Sequence, residues 1–170
     1  MNILNFLFMK LKRLNTLLYK EKDCDVETNV GPNGVKVTID SGKPGKTIAI
    51  RADFDALPIE EQTGLSFASK NKGVMHACGH DAHTAYMLIL GETLIEMKEQ
   101  FKGKVVIIHQ PAEEIPPGGA QGMIKDGVLE GVDHVLGAHV MSTMEAGKVF
   151  YKEGYVQTGR AYFKLVVQGK

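Results

Sequence analysis

The sequence is poor in cysteine, in net charge and in long apolar runs. Two cysteines, Cys24 and Cys78, are too few for a small secreted scaffold stapled by disulfides. Lys and Arg number 20 against 20 Asp and Glu, which argues against a nucleic acid or an anionic membrane as the main partner. Local basic character is confined to Lys10, Lys12, Arg13, Lys20 and Lys22. The most apolar stretch, MNILNFLFMKLKRL at the N-terminus, is short and is broken by Asn2 and Asn5. It lacks the basic lead and small-residue cleavage site of a signal peptide and the length of a membrane span. It reads as an amphipathic helix, and the expected location is the cytoplasm. Internal repeats and low-complexity segments are also lacking.

What is present is an ordinary globular composition, 44% hydrophobic and 24% charged over 170 residues, enough for one core and the start of a second unit. Helical spacing of Ile3, Leu4, Leu7, Leu11, Leu14, Leu17 and Leu18 predicts a helix over 1–20. A strand at 23–30, the turn Gly31-Pro32-Asn33-Gly34 and a strand at 35–39 read as a hairpin. Buried strands are expected at 47–55, 104–108 and 132–140, and helices at 82–100 and 120–129. The middle of the helix at 82–100, residues 85–90, is apolar almost all round, which predicts deep packing. Residues 59–75 read as irregular loop, and 148–156 and 160–168 as alternating β segments. Strands alternating with helices imply an α/β fold with a mostly parallel sheet flanked by helices. Ligands bind such sheets beyond the carboxyl ends of the strands, where Asp53, Asp55, Glu113, Glu114 and His139 fall.

The densest chemistry lies in His76-Ala77-Cys78-Gly79-His80-Asp81-Ala82-His83. Cys78 and His80, at i and i+2 of an extended loop, project to one side, and Gly79 permits close backbone approach. Thiolate with imidazole suits zinc or another transition metal. The bland alternative for Cys78 is a small buried hydrophobe. His76 and His83 are candidates for supporting or substrate-facing roles. In the adjacent pair Glu113-Glu114 one carboxylate can bind metal while the other takes a proton from water, the division of labour of metal-assisted hydrolysis; a solvated surface turn is the alternative. His139 ends a buried strand at the same sheet edge, whereas His109 and His134 read as satisfied structural histidines. Asp53 and Asp55 either support the metal site or pair with Arg51.

Together, Arg51-Ala52-Asp53-Phe54-Asp55-Ala56-Leu57-Pro58, Met75–His83, Gln110-Pro111-Ala112-Glu113-Glu114 and Gly137-Ala138-His139 resemble the successive motifs of the amidohydrolase branch of the zinc-dependent aminoacylase/carboxypeptidase family. Hippurate hydrolase, N-acyl-amino-acid amidohydrolases, N-acetyldiaminopimelate deacetylase and plant indole-acetyl-amino-acid hydrolases belong to it. The resemblance spans residues 30–170. It implies an α/β catalytic domain holding two divalent ions, zinc or manganese, and an inserted α+β lid domain that often forms homodimers. By motif position, Cys78, His80, Glu114 and His139 would bind metal, Glu113 would be the general base and Asp55 would support the site. The reaction implied is hydrolysis of an N-acyl amino acid.

Three features depart from the family pattern. The chain ends as the lid begins, so that 1–160 would be a partial catalytic domain and 161–170 the start of the lid. The family's last metal-binding histidine has no counterpart, and the usual N-terminal helix with its His and Pro-Glu is not visible. A truncated product is therefore expected. Two alternatives accompany the amidohydrolase reading: a metal-binding fragment without turnover, and a metallocarboxypeptidase or dipeptidase.

Overall fold

The computed structural model describes residues 18–157, 159, 161 and 163–169. The helix expected over 1–20 lies, up to residue 17, outside the described residues. The chain divides into two compact units, Met1–Val140 and Met141–Lys170.

In the first unit the elements run β1 (Asp25–Val30), β2 (Gly34–Asp40), β3 (Thr47–Asp53), α1 (His80–Glu96), a short 3-10 turn (Lys98–Gln100), β4 (Lys104–Gln110), α2 (Gly119–Lys125) and β5 (His134–Gly137). The five strands form one sheet in the order β1-β2-β4-β3-β5. The α/β class expected from the sequence is present, with parallel pairing in β3–β4 and β3–β5. The hairpin β1–β2 and its junction β2–β4 are antiparallel. The connection from β1 to β2 is too short for the crossover that a parallel pair requires, so the sheet is mixed.

Strand alternation splits the apolar side chains between two cores. Val35, Val37, Ile39, Ala52 and Ile107 pack with Met87 of α1 on one face. Ala49, Val106 and Ile108 pack with Met123 of α2 and Val128 on the other. A sheet covered on both faces explains why β4 reads as a continuous apolar run.

Helix α2 is shorter than the expected 120–129. Gly127 adopts φ 81°. Val128 N–H then donates to Met123 C=O and Gly127 N–H to Ile124 C=O, each at 3.0 Å. This left-handed glycine cap stops the helix and folds Val128 back onto Met123. Strand β5 likewise covers only 134–137 of the expected 132–140, which leaves His139 beyond its end.

Helix α1 is not buried all round. Its covered face is His80, His83, Thr84, Met87 and Gly91, the i, i+3, i+4, i+7 stripe, while Ile89 is 66% exposed. The sequence window averages over both faces, and the polar N-terminal half of the buried stripe is hidden in that average.

The second unit forms neither of the strands expected at 148–156 and 160–168 among its described residues. Val149, Tyr151 and Tyr155 are almost fully exposed. Alternation makes a strand only where a neighbour completes the ladder.

His109 also departs from expectation. It points from β4 towards α1, with its ring centroid 6.0 Å from that of Tyr19. It is fully buried, yet neither ring nitrogen has a hydrogen-bond partner among the described residues. Burial pushes its pKa down to about 4. Between that value and the ordinary histidine value near 6.5, the unfolded chain takes up a proton that the folded chain refuses. Stability therefore falls as pH drops through this window, by about 3 kcal/mol in all. His109→Phe should flatten this part of the pH–stability curve, as read by denaturant unfolding at pH 7 and pH 4.5.

Candidate metal centre

The parallel strands β4, β3 and β5 end at one edge, in the register Asp53 opposite Gln110 and Arg51 opposite Gly137. The chain leaving β3 stays close to β4, because Phe54 N–H donates to Gln110 C=O at 3.1 Å. Leu57 and Met75 then pair through two backbone hydrogen bonds of 2.9 and 3.1 Å. That clasp closes the loop between them and returns residues 76–80 to the sheet edge. Gly79, at φ 80°, turns the chain into α1. A Cβ at this position would lie 2.4 Å from Val140 Cγ2, so glycine is required twice over, for conformation and for space.

Asp55 is the hub of the edge. Its Oδ1 lies 3.1 Å from His80 Nδ1, and its Oδ2 accepts the Glu114 backbone N–H at 3.0 Å. Burial alone would raise its pKa. The hydrogen bonds from His80 and from the backbones of Glu114 and Glu113 outweigh burial and hold the carboxyl below its usual range. An ionised Asp55 accepts the Nδ1 proton, which leaves the lone pair on Nε2. That Nε2 is buried and has no hydrogen-bond partner among the described residues; Glu114 Oε1 is 3.8 Å away. Ala112 precedes the glutamates at φ 52°, a left-handed conformation costing an alanine about 1 kcal/mol. It turns the chain leaving β4 so that both glutamate N–H groups face Asp55.

Cys78 Sγ is 3.5 Å from His139 Nε2. Cys78, His80 and His139 each offer a donor atom within 4.8 Å of the others, as do His80, Glu113 and Glu114. Burial, a hydrogen bond with Glu114 and the charges of Glu114, Glu113 and Asp53 push the Cys78 thiol up to about 11. These residues fit a divalent cation: an unsatisfied buried imidazole nitrogen, a thiol pressed by carboxylates, and a second imidazole at the opening. A positive ion would relieve the crowding of negative groups and favour the thiolate.

The remaining candidates separate. Asp53 takes the ion-pair reading: its Oδ2 is 2.7 Å from Arg51 Nη1, and its Oδ1 is 2.6 Å from His83 Nδ1. His83 Nε2 accepts the Val140 backbone N–H at 3.0 Å. His76 is half-buried and its carbonyl accepts the Gly79 N–H, while His134 is exposed at the start of β5. Tyr86, not singled out in the sequence, donates its hydroxyl to Ala138 C=O at 2.8 Å. Its i+3 spacing from His83 was the available signal.

The family model for peptidase family M20/M25/M40 matches residues 49–162. The chain belongs to this family. It is 47% identical over 148 residues to thermostable carboxypeptidase 1 of Saccharolobus solfataricus, covering 86% of this chain and 38% of that protein. Over 128 residues it is 44% identical to the N-acyl-L-amino acid amidohydrolase of Geobacillus stearothermophilus, covering 75% and 35%. Among solved structures it matches the Bacillus subtilis YXEP protein, described as a dinuclear metal-binding peptidase of the M20 family, with TM-score 0.72 and 42% identity over 76% of this chain and 36% of that one. A protein from methicillin-resistant Staphylococcus aureus matches with TM-score 0.83 and 75% identity, over 84% and 37%. The chain thus spans well under half the length of the relatives it matches.

Gly79→Ala tests the loop. Strain and the Val140 clash should push His139 away from Cys78 and weaken zinc affinity at least tenfold, measured by competition with a chelating dye. Unchanged affinity would show that the approach of Val140 to Gly79 is not needed.

Proposed function

We propose that the whole protein hydrolyses the amide bond of N-acyl amino acids with two divalent ions, zinc or manganese. The observation that carries this reading is the buried Nε2 of His80, without a hydrogen-bond partner among the described residues and set among Cys78, Glu114 and His139 at the carboxyl edge of the parallel strands. In this reading Cys78, His80, Glu114 and His139 hold the metal. A bound divalent ion supplies Lewis acidity, polarising an amide carbonyl and acidifying water.

The protein's own groups do the rest. Asp55 fixes the His80 ring and, through the Glu114 backbone, the position of the glutamate pair. Glu113 is solvent-exposed and its side chain makes no hydrogen bond or ion pair among the described residues, which suits a general base that takes a proton from water and returns it to the leaving amine. Residues 1–160 belong to the catalytic domain and 161–170 begin the lid. The partner is a small-molecule N-acyl amino acid, the assembly a homodimer and the location cytoplasmic. No helix among the described residues is long and apolar enough to cross a membrane.

A carboxypeptidase reading is the second choice, favoured by the 47% identity to a relative named thermostable carboxypeptidase. N-acyl amino acids and peptides share the scissile amide next to a terminal carboxylate. Hydrolysis of N-acetyl- and N-benzoyl-amino acids by the whole protein with manganese or zinc separates the two: faster turnover of dipeptides would favour the second reading. Glu113→Gln should lower kcat about 10²-fold or more and leave metal stoichiometry unchanged. Loss of metal instead would mean that the roles of Glu113 and Glu114 are exchanged.

A further inference from the structure

Helix α1 carries two buried histidines one turn apart, His80 and His83, and the segment leaving β3 carries two buried aspartates two residues apart, Asp53 and Asp55. Strand spacing i, i+2 and helix spacing i, i+3 bring the two pairs into register. Each aspartate meets one Nδ1: Asp55 with His80 at 3.1 Å and Asp53 with His83 at 2.6 Å. The two imidazoles are stacked, with centroids 5.3 Å apart and planes 25° apart. They differ in what the far nitrogen does. His80 Nε2 has no hydrogen-bond partner among the described residues, whereas His83 Nε2 lies 3.0 Å from the Val140 amide nitrogen.

That second contact decides the chemistry of His83. A backbone N–H can only donate, so His83 Nε2 is the acceptor and its lone pair is in use. The ring proton is therefore on Nδ1, donated to Asp53, whose other oxygen is held by Arg51. Asp53, His80 and His83 could otherwise be taken for a ligand triad, since their donor atoms lie within 4.8 Å of one another. With both nitrogens of His83 engaged, it has no lone pair left for an ion.

The bond to Val140 lies next to His139. On the other side of His139, the Tyr86 hydroxyl donates to Ala138 C=O at 2.8 Å. The His83 and His139 rings also meet edge to face, with centroids 4.4 Å apart at 77°. Beyond the end of β5 no strand ladder among the described residues holds this segment. Two side chains one turn apart on α1 hold it instead, one on each flank of His139.

We propose that His83, oriented by Asp53 and assisted by Tyr86, is a positioning residue that holds the 138–140 backbone and aims the His139 imidazole at Cys78. It is not itself a metal ligand. This rests on the metal-centre reading only for its consequence; the hydrogen bond to Val140 can be tested without metal.

The test combines a metal-free and a metal-dependent measurement on the same protein, with circular dichroism confirming the fold of each variant. Without metal, amide hydrogen exchange should find Val140 N–H protected in the wild type and in His83→Gln, whose carbonyl supplies an acceptor near the Nε2 position. Protection should be lost in His83→Leu. With zinc, His83→Leu should weaken affinity about 10- to 100-fold and His83→Gln should recover most of it. Tyr86→Phe, which removes only a hydroxyl, should cost about two- to tenfold.

His83→Leu should add little to the loss already caused by His139→Ala, because it acts through that residue. Losses that multiply in the double variant, or a His83→Leu protein with a protected Val140 amide and wild-type affinity, would overturn the proposal. A wild type that binds no zinc but shows His83-dependent protection of Val140 would sink the metal-centre reading and leave the positioning role supported.

Discussion

Both oxygens of the Asp55 carboxylate are hydrogen-bonded, one to the first residue of helix α1 and the other to the backbone of the glutamate pair. This one buried group joins three pieces of chain that the sheet alone would leave independent: the exit of β3, the entrance of α1 and the loop after β4. Removing its charge would free the His80 ring to change tautomer and would leave the Glu114 N–H without a charged acceptor. Ionised carboxylates accept such bonds roughly twice as strongly as neutral groups do. The interaction therefore sets which nitrogen of His80 faces the cluster.

Around this anchor the site gathers negative charge faster than the protein neutralises it. Arg51 compensates Asp53, but Glu113 and Glu114 face the Cys78 thiol and raise its pKa. An arrangement that disfavours its own thiolate makes sense where a cation completes it. The site also draws on local conformations that the rest of the fold sustains, Gly79 at φ 80° and Ala112 at φ 52°. Glycine adopts its conformation without strain, whereas Ala112 does not, and it lies where the chain turns off β4 to present the glutamate pair, the kind of place where such strain collects.

Much of this was legible in the sequence. The apolar runs of β3 and β4 and the turn chemistry of 31–34 located the sheet, and the strand ends located Asp55, Glu114 and His139. What escaped depended on partners distant in sequence. The buried face of α1 was hidden because its N-terminal half is His80, His83 and Thr84 rather than aliphatic. His109 read as a satisfied histidine because nothing local reveals that β4 points it at Tyr19 in an apolar core. The alternating residues of 148–156 looked like a strand because alternation records a preference, and the described residues of the second unit supply no pairing strand. The role of His83 needed the position of Val140, 57 residues away in sequence.

Absorption spectroscopy of the cobalt-loaded protein tests most directly whether the sheet-edge cluster is a transition-metal site with Cys78 as a thiolate ligand. A thiolate-to-cobalt charge-transfer band should appear, vanish in Cys78→Ser and survive in Cys24→Ser. A cobalt-loaded protein with no such band, or one whose band persists in Cys78→Ser, would contradict the account.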